Sequence, residues 1–348
     1  TGQGSVQTGG AVQTDRVRLT GRYLRPVCRR LIRRFQKKDF FAGRRPSGDR
    51  RNHCIMGYYI FTYLCLAVFA AAVLWRIYRQ LTLPAHVRWE IYPVQHEPAA
   101  KAAYGGSYME GLNWWKEKRR RSAVNELLYM APEIGFLRGL WKENRSLWWF
   151  SFPFHLGLYL MLVVFTLLLL SAVLLLLRFD GNGAVLSIIK GFTIAAGWSG
   201  VIAGAAGSLG MLYRRLADRD LRAYATAADY FNLVFILLFF VCALLTVLAA
   251  DPFFAAARLY ILGLLTAGAA TPAYAPGQSV PGALTIVLGS LLAAYIPLTH
   301  MSHMFMKYFL YHRVKWDDEP NRPGSPLESA MKQNLQYRPT WKAEHVDA

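Results

Sequence analysis

The chain has 348 residues, 54% of them hydrophobic and 14% aromatic, with 40 Lys and Arg against 21 Asp and Glu for a formal charge of +19. That composition excludes an ordinary soluble globule and suits a membrane protein with basic flanks. Nucleic acid is not the implied partner, because the basic residues sit at the ends of apolar runs, where a bilayer protein carries them.

Residues 1–55 hold fourteen Lys and Arg and three Asp, including RRLIRRFQKK. Met56 stands just ahead of the first apolar run, so this stretch reads as a basic upstream extension that is not native to the protein. A disordered arm and a targeting segment are the alternatives.

Five stretches are long enough to cross a hydrocarbon core of ~30 Å as helices: 57–76, 148–177, 191–213, 229–250 and 283–311. A sixth, 252–272, contains Arg258 and is bordered by Pro252 and Pro272. It reads as a short interfacial or re-entrant segment. Lys and Arg number twelve in 76–146, two in 178–190, four in 214–228, one in 251–282 and seven in 307–348. Because cytoplasmic loops carry the excess of Lys and Arg, 77–147, 214–228 and the C-terminal tail are placed inside. The expected fold is an all-α membrane protein, five transmembrane helices in a bundle, with the N-terminus outside and the C-terminus cytoplasmic. Residues 56–318 form its membrane domain.

The loop 77–147 is too long for a simple connector. Trp89, Tyr92, Trp114 and Trp115, with KEKRRR at 116–121, suit docking onto another protein; the basic run also suits anionic lipid. His86 and His96 read as structural, and nothing selects Glu90, Glu97 or Glu110 for proton traffic. The tail 319–348 has prolines at 320, 323, 326 and 339 and is expected to be extended, bound to a partner or disordered.

Only His155, His300 and His303 lie well inside expected spans. On straight helices with a rise of 1.5 Å per residue, His155 is about 10 Å deep from the inner face, His303 about 12 Å and His300 about 16 Å. Imidazoles at matching depth on two helices fit axial ligation of a b-type haem between them. A small residue such as Gly157 would let a porphyrin approach its helix. Alternatively, each histidine hydrogen-bonds a neighbouring helix and binds nothing. A metal site using His300 and His303 together lacks Asp, Glu or Cys at the same depth. The four cysteines form no C-x-x-C pair, so any iron–sulfur cluster belongs to a partner.

Three segments, NRSLWWFSFPFHLG (144–157), GWSGVIAGAAGSLGMLYRRLADRDLRAYATAADY (197–230) and YIPLTHMSHMFMKYFLYHRVKWDD (295–318), carry a resemblance. In order and spacing the chain, from about Met56 to Asp318, resembles the cytochrome b membrane subunit (gamma subunit) of respiratory nitrate reductase. RWEIYPVQHEP (88–98) and YGGSYMEGLNWW (104–115) look more like the relatives in transmembrane redox complexes of sulfate-reducing bacteria.

The resemblance implies one haem b with His155 and His303 as its axial ligands. The family's outer ligand pair is missing, since Phe165 and Thr285 stand in those places. His300 is left as an alternative ligand, a neighbour of the ligand, or the lining of a quinone pocket near the haem. Lys190 is close to the family's quinone-site lysine, although a snorkelling anchor is the plain alternative. The implied function is electron exchange between menaquinol or menaquinone and a cytoplasmic iron–sulfur subunit, in the bacterial inner membrane. A multihaem cytochrome c is a further candidate partner in the same complex. A haem-free membrane anchor, and a proton-coupled transporter with a histidine relay, are the competing classes.

Overall fold

A computed structural model describes residues 48–83, 94, 96–118, 121–269 and 279–338. The chain divides into two units between Arg50 and Arg51. The first lies almost wholly outside the described residues, as do Trp89, Tyr92, His86 and Glu90; the second is the helical bundle.

Among the described residues the longer helices, of eight residues or more, are α1 Gly48–Thr82, α2 Ala123–Gly135, α3 Arg145–Leu176, α4 Ala184–Ala217, α5 Ala227–Ala249, α6 Ala255–Leu265, α7 Val280–Tyr295, α8 His303–Leu310 and α9 Pro326–Asn334. Shorter helical turns join them, and no strand occurs among the described residues. Among the described residues, five helical stretches are long and apolar enough to cross a membrane: Ile55–Thr82, Arg145–Leu176, Ala184–Ala217, Ala227–Ala249 and Val280–Leu298. No more than 44% of any of them is buried inside the protein. The apolar remainder faces outward, where only lipid makes it favourable.

The starts of these helices are written in short polar side chains. Asn144 Oδ1 accepts the Leu147 amide at 3.0 Å to open α3. Thr226 and Asp229 form a reciprocal capping box at α5, and Ser279 caps α7. Each supplies an acceptor to amides that have no partner within the helix.

Packing is densest between α3 and α4, and glycines are the reason. A Cβ on Gly207 would overlap the backbone of Phe154, and one on Gly157 would overlap the backbone of Gly204. Gly204 and Gly197 leave room instead for the rings of Phe240 and Phe254. With no hydrophobic force between helices in lipid, such close backbone approach is what drives their association. The expectation that Gly157 admits a porphyrin is therefore corrected: its space is taken by α4.

The segment 252–272 contains α6, eleven residues and so about 16 Å long, too short to cross. Both carboxylate oxygens of Asp251 cap it, Oδ1 accepting from Ala255 N at 2.8 Å and Oδ2 from Ala257 N at 2.9 Å. It packs on α3, and its Tyr260 hydroxyl meets Thr62 Oγ1 of α1 at 2.8 Å. Thr62 Oγ1 also reaches Ser290 Oγ of α7 at 2.9 Å, so hydroxyl groups tie α1 to the bundle.

Two expectations fail in the last third. The stretch 283–311 is not one helix: α7 ends at Tyr295, and two 3-10 turns lie between it and α8. The tail is not wholly extended, because Pro326 opens α9, capped by Ser325 Oγ to Glu328 N at 3.1 Å. Proline suits the first helical position, whose amide has no helical partner.

The glycine contact makes a measurable claim. Gly207→Ala should lower unfolding stability by about 1–3 kcal/mol, the usual cost of overpacking. Gly191→Ala on the same helix, where no atom lies within 4 Å of the new methyl, should leave it unchanged or slightly raised. Thermal melting in detergent reads both.

Candidate functional site

The site begins with a proline. Pro297 has no amide to continue the α7 ladder, and the chain turns into 3-10 geometry over Ile296–Leu298. Thr299 then adopts an extended conformation, at φ −112° and ψ 179°. Carbonyls that the departure from helix leaves without an i+4 donor are costly at membrane depth unless protein side chains reach them. Arg76 of α1 does so: its Nε donates to the Pro297 carbonyl and its Nη2 to the Thr299 carbonyl, the latter at 2.9 Å. Ser302 Oγ donates to the same Thr299 carbonyl at 2.9 Å. The break is thus fixed, and it delivers His303 as the first residue of α8.

His303 arrives beside His155 of α3. Their ring centroids are 6.2 Å apart, with the ring planes at 68°. His155 Nδ1 lies 2.7 Å from the Ser151 carbonyl, and His303 Nδ1 lies 3.1 Å from the His300 carbonyl. A carbonyl only accepts, so each Nδ1 carries a proton, and a ring in its neutral form has its lone pair at Nε2. A carbonyl bond of this kind orients and tunes a metal-bound imidazole. Two metal–nitrogen bonds of about 2 Å, plus the reach from each nitrogen to its ring centre, total about 6 Å. Two imidazoles side by side are donors of the type that would hold a haem iron. Among the described residues no group of three or more His, Cys, Asp and Glu side chains converges as a protein-only metal centre.

The depth argument behind this pair changes. His300 and His303 lie beyond the break, so a constant rise along one helix does not locate them. They also go to different neighbours. The His300 side chain is 65% exposed, and its Nε2 lies 3.7 Å from Asp229 Oδ1 at the start of α5. The structure brings His303 and not His300 to His155; His300 contributes its carbonyl.

A charged pair borders the site, with Lys307 Nζ of α8 donating to Glu133 Oε1 at 3.0 Å. Glu133 Oε2 also accepts the Gly139 amide at 2.9 Å, so α2 and α8 are joined at this end of the bundle. Tyr159, one turn beyond His155 and 6.3 Å from it between ring centres, donates its hydroxyl to the Ile134 carbonyl.

The other sequence candidates lie elsewhere. Lys190 is exposed on the second turn of α4. Gly204 and Gly207 face Gly157 and Phe154, so Lys190 is about 24 Å along α4 from the level of His155. Phe165 is exposed, and Thr285 Oγ1 pairs with Thr246 Oγ1 at 2.9 Å. Sequence reasoning passed over Arg76, Glu133 and Lys307. Arg76 reads as a boundary anchor unless Pro297 is taken as a break whose carbonyls need a donor.

A family model described as nitrate reductase gamma subunit matches residues 140–317, about half of the chain. The chain belongs to this family. It is a multi-pass protein of the bacterial inner membrane and a cytochrome b-type subunit in kind, associated with other redox subunits of an oxidoreductase complex. The matched region contains α3, α4, α5, α7 and α8, hence both histidines. It is shorter than the resemblance from Met56 to Asp318, and α1 with the loop segments 88–98 and 104–115 falls outside it. No curated protein and no solved structure matches the chain.

Arg76 is the residue on which this geometry is most exposed to test. Arg76→Gln should destabilise the protein by about 1–3 kcal/mol through unsatisfied carbonyls, read by thermal melting. Limited proteolysis should show faster cutting between Thr299 and Ser302.

Proposed function

We propose that the chain is a haem b-binding, quinone-interacting membrane subunit, with His155 and His303 as the axial ligands of one haem. The observation that carries this reading is the 6.2 Å pairing of two imidazoles, each turned by a carbonyl to present Nε2. Bound there, haem b supplies one-electron iron chemistry. The chain's own part is to hold the rings in one tautomer, through the Ser151 and His300 carbonyls. The neighbouring Lys307–Glu133 pair keeps that border electrically balanced.

The Lys and Arg distribution supports an outer N-terminus and a cytoplasmic C-terminus, with the haem in the cytoplasmic half. Electrons then pass between menaquinol or menaquinone and a cytoplasmic iron–sulfur subunit docked on the loop 77–147. The likeness of that loop to sulfate-reducer relatives supports menaquinone and a multihaem cytochrome c in the same complex. The Thr246–Thr285 pair supports a single haem, since the position of one missing outer ligand is filled by an interhelical hydrogen bond.

A reduced-minus-oxidised spectrum of the purified complex tests the assignment. His155→Ala and His303→Ala should each lose the b-type α-band, and His300→Ala should keep it because its carbonyl remains. A band that survives His303→Ala and vanishes in His300→Ala would overturn the ligand choice. A wild-type complex with no band would leave a haem-free anchor.

A further inference from the structure

The helix α2 is built inside out. Its outward stripe, Val124, Leu127, Leu128 and Ala131, follows the i, i+3, i+4, i+7 spacing of one helix face. Val124, Leu127 and Leu128 are 67%, 66% and 65% exposed. The carboxylates of α2 point the other way, into the protein. Glu133 Oε1 accepts from Lys307 Nζ at 3.0 Å, and Glu126 Oε2 lies 3.2 Å from His312 Nε2. Between them Tyr129 packs edge-on against Tyr311 and Trp316. A helix on a water-facing surface carries the opposite pattern, with charge outward and leucine inward. Phe136, just beyond the C-terminal end of α2, continues the exposed apolar surface.

Position decides what covers the stripe. Tyr159, one turn beyond His155 on α3, donates its hydroxyl to the Ile134 carbonyl at 2.9 Å. Trp148 Nε1 donates to the Phe136 carbonyl at 2.8 Å. The C-terminal end of α2 is therefore pinned to the flank of a membrane-crossing helix. Leu127 lines one apolar groove with Leu162, which is exposed on that helix, so the stripe continues the surface that α3 presents to lipid. The chain reversal after α2 also suits low polarity. Leu137 turns it at φ 52°, and the Gly139 amide finds Glu133 Oε2 at 2.9 Å. Trp141, Trp148 and Trp149 meet ring to ring beside Arg145, the mixture of aromatic and basic groups that sits at a membrane–water boundary.

We propose that α2 is an interfacial helix lying in the leaflet at the α3 N-terminal end, with Val124, Leu127, Leu128 and Ala131 among the acyl chains. An amphipathic helix in that position gains by burying its apolar face at the boundary between headgroups and chains. A docked protein covering the same stripe would have to displace the lipid around α3. The helix is thereby withdrawn from the docking surface, which leaves a partner subunit the part of 77–147 that precedes Ser122. Through Glu133 and Lys307 the lipid-lying helix is joined to α8, one turn after His303.

Spin-label accessibility of the full chain in nanodiscs tests this without using the haem. Nitroxides are placed at Val124→Cys, Leu127→Cys and Leu128→Cys, in a chain whose native cysteines are replaced by Ser. Each reports collisions with oxygen, which concentrates among acyl chains, and with a nickel chelate, which stays in water. Leu170→Cys, exposed on α3, is the lipid reference, and Leu112→Cys, 92% exposed ahead of α2, is the water reference. The oxygen-to-nickel ratio at the three α2 positions should match Leu170→Cys and exceed Leu112→Cys several-fold. Unchanged melting shows that the labelled chains fold, and Ala131→Cys on the same stripe replaces any label that lowers it. A ratio at the level of Leu112→Cys would overturn the proposal. So would collisions with both reagents that are low in the purified complex and nickel-dominated in the isolated chain, because a protein partner would then cover the stripe.

Discussion

A backbone carbonyl that loses its helical donor inside a bilayer has no water to turn to. Pro297 creates that situation within the last span, and Arg76 answers it from the first. Everything at the site follows from this exchange. The chain can leave the α7 axis, re-enter helix at His303, and set an imidazole against His155 from a direction no straight helix would give. The carbonyl of His300, exposed by the same irregular turn, is then available to orient the His303 ring. One conformational fault, satisfied by one guanidinium, places the iron-ligating candidate and also fixes its tautomer.

The second constraint is the closeness of α3 and α4. Their glycines bring backbones into contact at Gly157, Gly204 and Gly207, on the same level as His155. α3 is therefore wedged against a neighbour at the level of His155, and that ring has little freedom to drift. Further along the bundle the contacts change to hydroxyl groups, with Thr62, Tyr260 and Ser290 in one cluster and Thr246 with Thr285 in another.

The sequence was most legible where a pattern was contiguous. Five apolar runs bounded by charge gave five spans, with ends displaced by up to two turns in the first four and by more than three turns at the C-terminal end of the last, and the run holding Arg258 was kept from the membrane-crossing set. The reading was least secure where distant groups decide the outcome. Pro297 was visible but the break around it was missed, because the Pro297 carbonyl at that break is satisfied by a residue 221 positions away. His155 and His303 were paired by depth, and they do lie together, though along a different route. Gly157 was read as small and therefore roomy, when its partner helix fills that room.

Arg76 has one more consequence. It lies outside residues 140–317, the portion that carries the family likeness, and yet it holds the turn on which His303 depends. The shared portion is therefore not a self-contained cassette. A turn inside the matched residues is held in place by a helix outside them. The first helix is therefore a structural strut of the turn before His303 and not an interchangeable membrane anchor.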